Sequence, residues 1–191
     1  MKIPCIAGEW RVLFRPEKNG NYVNDHTIVC GPDQKWHLYG ITSMTGRPSD
    51  ERYFVHGVGE NLYTPFREVG RSIDKGTLAW SPCVIEREQN YYMFYGPSPT
   101  SLAVSFDMYE WFGHTVTLQN EPLMAAHRDH FVLRPDNGTY LMYVSGIYQQ
   151  KVRSPAFLPT ICSSGTLRAM LSHRERRHRS APLGVLWRHP L

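Results

Sequence analysis

Long apolar runs, closely paired cysteines and helical periodicity are all missing from this chain of 191 residues. No stretch approaches the roughly 18 apolar residues of a membrane-spanning helix, so no membrane partner is expected. The first ten residues lack a long apolar core and give no convincing signal sequence, which leaves the localisation unknown. No metal or organic cofactor is implied by any motif.

The four cysteines, Cys5, Cys30, Cys83 and Cys162, are widely spaced along the chain. None belongs to a CxxC pair, and this spacing excludes the usual zinc frameworks. Cys30 and Cys83 fall inside apolar strand patterns. Both are therefore predicted to be buried free thiols.

The formal net charge of +4 is unevenly distributed. Residues 1–165 carry 15 Lys or Arg and 16 Asp or Glu, whereas residues 166–191 carry six Arg and one Glu. The excess of positive charge therefore lies in the last 26 residues. Because no interleaved aromatic platform and no recognition fold accompany this basic segment, nucleic-acid binding is not expected.

What the chain does contain is an internal repeat. Three segments share one pattern, in which an apolar strand, a turn and an aromatic strand follow each other. In each copy a Tyr lies 14 positions after a polar residue near the start, and the pairs are Asp25 and Tyr39, Ser81 and Tyr95, and Asp129 and Tyr143. In the first and third copies a His follows the Asp.

The repeat predicts the architecture. Each copy has the signature of a β-hairpin, and further strand patterns follow the first two copies. The copies are 56 and 48 residues apart, close to the roughly 40–50 residues of a four-stranded propeller blade. We therefore predict an all-β fold, a partial β-propeller over residues 1–165, with blades at about 24–76, 78–122 and 126–160. A β-sandwich is the alternative, but ordinary sandwiches lack such self-similarity.

Residues 166–191 match none of the three copies and are predicted to be an unstructured or irregular basic tail. The abrupt change in composition is typical of translation in a wrong reading frame, so the chain is expected to be a truncated or frameshifted piece of a longer propeller. Propellers close with roughly 4–8 blades. An unclosed one exposes strand edges and a sheet face, which favours self-association.

Asp25 and Asp129 are the candidate catalytic residues. The innermost strand of a blade lines the central channel, so both carboxylates are expected to face one axial pocket. Paired carboxylates across a pocket suit cleavage of a glycosidic bond. The alternative for each Asp is a turn cap at the start of a strand, but their equivalent places in the repeat favour a shared site.

These motifs resemble those of the five-bladed β-propeller glycoside hydrolases, families 43 and 32 and their relatives. The resemblance covers about residues 10–150. It rests on the blade-entry motifs Asn24-Asp25, Trp80-Ser81-Pro82 and Arg128-Asp129, and on two outer stretches, residues 61–66 and 105–111. The resemblance implies hydrolysis of O-glycosidic bonds in furanosides or related glycans, with a carbohydrate as the partner.

The resemblance also implies roles. Asp25 would be the general base of an inverting enzyme or the nucleophile of a retaining one, and Asp129 an auxiliary carboxylate that stabilises the transition state. The general acid of the family is a Glu in the fourth blade, but the only acid after Asp136 is Glu175, within an Arg/His run. Losing leaving-group protonation costs about 10²–10⁴-fold, so this chain is expected to be weakly active or inactive.

The candidate substrate-binding residues are Asn24, His26, Trp80, Arg128 and His130. His26 and His130 stand where the family usually has Pro, and each has either a sugar contact or a structural role. Trp80 has two interpretations, stacking on a sugar face and core packing between blades. Two other functions stay open, a non-catalytic carbohydrate-binding propeller and a stand-alone interaction module.

Overall fold

The computed structural model describes residues 8–18, 21–114, 124–134, 140–148, 166–171 and 186–187. In these ranges the regular structure is β-strand, apart from one short 3-10 turn at Pro48–Asp50. No helix in them is long and apolar enough to cross a membrane. The all-β class predicted from the sequence is confirmed.

The strands form three antiparallel sheets of four strands each. Sheet I, in spatial order, contains β1 (Asn24–Cys30), β2 (Trp36–Thr42), β3 (Tyr53–Gly59) and β4 (Arg67–Ser72). Sheet II contains β5 (Trp80–Arg87), β6 (Asn90–Gly96), β7 (Ser101–Ser105) and β8 (Phe112–His114). Each of these two sheets is a meander in which sequential strands are neighbours, as expected for a propeller blade.

Sheet III contains β9 (Met124–Leu133), β10 (Tyr140–Tyr148), β11 (Thr166–Leu171) and β12 (Leu186–Trp187). Here β10 pairs with β9 and also with β11 and β12. The last two strands belong to residues 166–191, the segment predicted to be irregular, and the rest of that segment lies outside the described residues. The described part of the tail therefore completes the third sheet.

The two outer stretches singled out in the sequence begin as turns. Asn61 Oδ1 accepts the backbone N–H groups of Tyr63 and Thr64, and Asp107 Oδ1 accepts those of Tyr109 and Glu110. Such side-chain bonds offer the backbone an alternative to the strand ladder. The fourth strands therefore begin only at Arg67 and Phe112.

Sheet II is buried on both of its faces. One face packs on Tyr39, Ile41 and Phe54 of sheet I through Val84, Met93 and Ala103. The other packs on Val132, Met142 and Val144 of sheet III through Cys83, Phe94 and Leu102. The two sets are sequence neighbours because successive side chains of a strand point to opposite faces. Burying one such large apolar side chain contributes about 1.5–3 kcal/mol, and this two-sided burial explains why β5 and β6 are apolar almost throughout.

The first strands of the three sheets lie side by side. The backbone N–H of Val84 in β5 donates to Thr27 Oγ1 in β1, at 3.4 Å. The backbone N–H of Val132 in β9 contacts Cys83 Sγ in β5, at 3.3 Å. These contacts place β5 between β1 and β9, so the three copies of the repeat bring their starting residues to one region.

The prediction for the cysteines is right for Cys83 and wrong for Cys30. Cys83 is 7% exposed, and burial raises the pKa of its thiol. Cys30 is exposed because it is the last residue of β1, where the chain leaves the sheet for the hairpin turn. Cys5 and Cys162 lie outside the described residues.

The face of sheet I that points away from sheet II is covered at close range by two aromatic rings. A Cβ on Gly57 would lie 2.8 Å from the ring of Phe14, and a Cβ on Gly59 would lie 2.2 Å from the ring of Phe66. The backbone N–H of Phe66 donates to Leu13 O at 2.7 Å, which ties the N-terminal segment to this face. Glycine is needed at these positions because no side chain fits under the rings.

The variant Gly59→Ala tests this close approach. We expect the free energy of unfolding to fall by about 1–3 kcal/mol, because the added methyl group displaces the buried Phe66 ring. Chemical denaturation followed by tryptophan fluorescence measures it. Gly113→Ala is the matched control, since a Cβ there meets nothing within 4 Å and should cost no stability. Equal losses in the two variants would show that the ring does not pack as described.

Candidate active site at the inner strands

The three equivalent repeat residues share an unusual backbone conformation. Asp25, Ser81 and Asp129 have φ values of 28°, 52° and 57°, in the left-handed region. Each lies where the register of the first strand shifts against the second strand of its sheet. An extra residue at such a β-bulge bends the strand and redirects its side chain. The same local device therefore occurs at the same place in all three sheets.

The redirected side chains meet at one hydroxyl group. Ser81 Oγ lies 3.0 Å from Asp25 Oδ2 and 2.8 Å from Asp129 Oδ1. Ser81 is buried, with 6% exposure, whereas Asp25 is exposed and the Asp129 side chain retains 37% of its accessible surface. The structure thus brings the two predicted carboxylates together on the solvent side of a buried serine. Their catalytic roles stay predictions.

Sequence reasoning did not assign a role to Ser81, although the repeat placed it at the equivalent position. The reason is chemical, because the first and third copies carry a carboxylate there and the second carries a hydroxyl group. The geometry shows what a hydroxyl group adds. A serine hydroxyl group carries one proton, so it can donate a hydrogen bond to one of the two carboxylates at a time.

Arg128 and the residues beside Asp25 flank the pair on the exposed side. Arg128 Nε lies 3.3 Å from Asp129 Oδ2, and its side chain is 62% exposed. An ion pair this exposed is worth about 0–1 kcal/mol. It orients Asp129 more than it stabilises the fold. Asn24 and His26 are exposed on either side of Asp25, where their polar groups are accessible to a ligand.

Trp80 lies in the core rather than on an open surface. It is partly buried and packs against the apolar cluster between sheets I and II. Its Nε1 atom is buried and has no hydrogen-bond partner among the described residues. Of its two interpretations, the geometry favours core packing over stacking on a sugar face.

His130 lies in a buried network between sheets II and III. Its Nε2 atom is 2.9 Å from Thr100 Oγ1, which is also 2.8 Å from His127 Nε2. His127 Nδ1 is in turn 2.6 Å from Ser98 Oγ. Both histidines are less than 5% exposed. Burial, reinforced by the nearby His127 and Lys75, lowers the pKa of His130 to about 3, so the ring is neutral and its role in this geometry is structural.

The side chains of His127, Thr100 and Ser98 were not recognised from the sequence. Ser98 and Thr100 flank a proline in the loop between β6 and β7, and nothing in their spacing indicates a partner 27 to 30 positions away. Two of the strand's histidines turn inward because the bulge at Asp129 interrupts the alternation of β9. The network ties that loop to the strand that carries Asp129.

A second histidine pair lies at the boundary between sheets I and II. His37 Nδ1 is 2.9 Å from His56 Nε2, and His37 Nε2 is 3.0 Å from Asp33 Oδ1. The Tyr109 hydroxyl group donates to Asp33 Oδ2 at 3.0 Å. Burial, followed by the repulsion of His37, lowers the pKa of His56 to about 3. The pair is near the hairpin end of β1, opposite the end that carries Asp25.

Within the described ranges, no group of three or more His, Cys, Asp or Glu side chains is placed to hold a metal ion. The two histidine clusters are linked by hydrogen bonds among their own members. The exposed chemistry is that of two carboxylates, a guanidinium group and neutral polar side chains.

Comparison with known proteins identifies the fold. The sequence matches no protein-family model and no curated protein. A GH43_1 enzyme from Xanthomonas citri matches with a TM-score of 0.58 at 15% identity, over 79% of this chain and 51% of that one. CoXyl43, a GH43 β-xylosidase/α-arabinofuranosidase from a compost microbial metagenome, matches with a TM-score of 0.58 at 17% identity, over 84% and 58%.

RS223-β-xylosidase also matches, with a TM-score of 0.57 at 17% identity, over 80% of this chain and 56% of that one. The structures of CoXyl43 and of the Xanthomonas enzyme include complexes with xylotriose. The resemblance to the five-bladed propeller glycoside hydrolases is confirmed at the level of the fold. The chain spans little more than half the length of the proteins it matches.

The two histidine pairs predict how stability depends on pH. His56 and His130 each take up a proton only near pH 3 in the folded chain, but near pH 6.5 when unfolded. Between these values the unfolded state binds more protons, so stability falls as the pH falls, by a few kcal/mol for each histidine. Urea unfolding at several pH values measures the slope.

His56→Gln isolates one of these contributions. Carboxyl groups titrate in the same range in the parent and the variant, so the difference between the two slopes reports on the histidine. We expect a shallower loss of stability on acidification in the variant. Parallel curves for the parent and the variant would show that His56 takes up its proton equally easily in the folded and unfolded states.

Proposed function

We propose that Asp25 and Asp129 form the carboxylate centre of a glycoside hydrolase that cleaves O-glycosidic bonds. One observation carries the proposal: both carboxylates converge on Ser81 Oγ, within 3.0 Å, in a fold shared with GH43 glycosidases. Turn capping explains each Asp singly, but it does not explain why two equivalent bulges aim them at one point.

The two carboxylates differ in their surroundings, and this difference supports different roles. Asp25 is the more exposed, so it can reach a water molecule or the anomeric carbon of a bound sugar. It is therefore the general base or nucleophile. Asp129 is anchored by Ser81 on one oxygen and by Arg128 on the other. A fixed negative charge of this kind suits stabilisation of an oxocarbenium-like transition state.

The substrate in this proposal is a glycan of pentose units, furanosides included. Two fold neighbours were solved with xylotriose, and the exposed side chains of Asn24, His26 and Arg128 offer hydrogen bonds to sugar hydroxyl groups. Trp80 and His130 lie on the buried side of the site, where they hold the inner strands in place. In this proposal neither residue contacts the sugar directly.

Activity of the isolated chain is proposed to be low. The implied general acid belongs to a fourth blade, and Glu175, the one acidic residue after Asp136, lies outside the described residues. Without protonation of the leaving group the rate falls by about 10²–10⁴-fold. The same consideration favours a second candidate function, a propeller that binds carbohydrate without cleaving it.

Binding of xylotriose tests the proposal. Isothermal titration calorimetry should show saturable binding to the parent chain and at least a tenfold loss in Asp25→Ala, a change of about 1.4 kcal/mol. Glu110→Gln removes one negative charge from an exposed turn and is the matched control. We expect it to bind like the parent. Unchanged binding in Asp25→Ala, or no binding of any pentose oligosaccharide by the parent, contradicts the proposal.

Hydrolysis of aryl xylosides separates the two candidate functions. A dinitrophenyl leaving group departs without a proton, so the proposed glycosidase should cleave this xyloside slowly and lose that activity in Asp25→Asn. A xyloside with a poor leaving group should not be cleaved measurably. Binding without turnover of either substrate favours the carbohydrate-binding function, and rapid cleavage of the poor leaving group contradicts the expected low activity.

A further inference from the structure

The cluster of Asp25, Ser81 and Asp129 contains one hydrogen-bond donor too few. A serine hydroxyl group carries one proton, and an ionised carboxylate can only accept. Two carboxylate oxygens nevertheless lie at hydrogen-bond distance from the same Ser81 Oγ, at 3.0 and 2.8 Å. With both carboxylates ionised, one contact is a hydrogen bond and the other brings two electron-rich oxygens together.

The backbone holds this arrangement in place. All three residues are at β-bulges with φ between 28° and 57°, and Ser81 is buried, with 6% exposure. β5 is fixed between its neighbours through the Val84 and Cys83 contacts. The serine therefore cannot withdraw from either carboxylate without moving the strand that carries it.

We propose that Ser81 is the positioning residue of this site. Its hydroxyl group donates a hydrogen bond to Asp129, so Asp25 receives no hydrogen bond from Ser81. The Asp129 contact is the shorter of the two, and Arg128 holds the other oxygen of Asp129, so this carboxylate is the one fixed in line with the Ser81 hydroxyl group. Asp25 accordingly keeps an oxygen lone pair close to the Ser81 oxygen without a proton between them. Asp25 therefore has an oxygen that is free to accept a hydrogen bond from a ligand.

The sugar supplies the missing donor. A bound glycan presents hydroxyl groups, and one of them donates a hydrogen bond to the Asp25 oxygen that receives none from Ser81. This second half of the inference rests on the proposed function, whereas the positioning role of Ser81 rests on the geometry alone. Strain that is stored in an active site and relieved by its ligand is a common feature of enzymes.

The decisive variants replace a carboxylate by its amide. In Asp25→Asn the new N–H group donates to Ser81 Oγ, and the Ser81 hydroxyl group donates to Asp129, so both contacts become hydrogen bonds. Asn tolerates the left-handed backbone of this position. We expect the Tm at pH 7 to rise by about 2–4 °C. In 1 M NaCl, which screens charge repulsion, the rise should persist, because it comes from a hydrogen bond.

Ser81→Gly provides the background that separates hydrogen bonding from simple charge relief. Glycine suits the φ of 52° at this position and removes the hydroxyl group. In this background Asp25→Asn should raise the Tm by less than half as much, because only the charge repulsion is relieved. Asp129→Asn in the parent should also be stabilising, and the double Asn variant should gain less than the two single gains together.

Three outcomes overturn the positioning role. They are a lower Tm in both single Asn variants, an equal gain in the Ser81→Gly background, and the loss of the gain in 1 M NaCl. If the Ser81→Gly chain does not fold, the salt comparison in the parent still decides. A rise in Tm in Asp25→Asn, together with no xylotriose binding by the parent chain, supports the role of Ser81 while refuting the proposed function, so the two failures are distinguishable.

Discussion

The two-sided burial of sheet II is the constraint on which the rest of the structure depends. Apolar side chains alternate along β5 and β6, so one set meets sheet I and the other meets sheet III. This packing places β5 between β1 and β9 and fixes their starting residues relative to one another. If only one face of sheet II were buried, Ser81 could contact one carboxylate but not both.

The site follows from this packing and from one repeated local feature. A bulge at the start of each inner strand turns a single side chain out of the regular alternation. Because the bulge recurs in three adjacent sheets, the three side chains converge. Ser81, the middle one, is the most buried. The strained, left-handed backbone at the bulges thus brings two acidic groups together. This arrangement lowers the stability of the fold, and such strain is typical of functional sites.

The sequence predicted the parts of this account that depend on periodicity. The strand hairpins, the repeat positions of Asp25 and Asp129 and the blade-sized sheets follow from spacing that the folded chain preserves. It did not predict which way His130 and Trp80 face, because each adjoins a bulge where the alternation of sides breaks. The prediction that Cys30 is buried was wrong for a related reason, since the last residue of a strand is less buried than its middle.

Hydrogen-bond networks between residues far apart in the chain could not be predicted from the sequence. Thr100 lies 27 and 30 positions from its two histidines, and no local pattern connects them. Low identity also limits what the fold neighbours contribute, because 15–17% identity carries the architecture without the chemistry. The proposed function therefore depends on the geometry of a few oxygens.

The most direct test of the central claim is a high-resolution crystal structure of this chain with xylotriose. The account predicts both Asp25 and Asp129 within hydrogen-bond distance of Ser81 Oγ, and a sugar hydroxyl group bonded to Asp25. Carboxylates that point away from each other, or a sugar bound away from both of them, would contradict it.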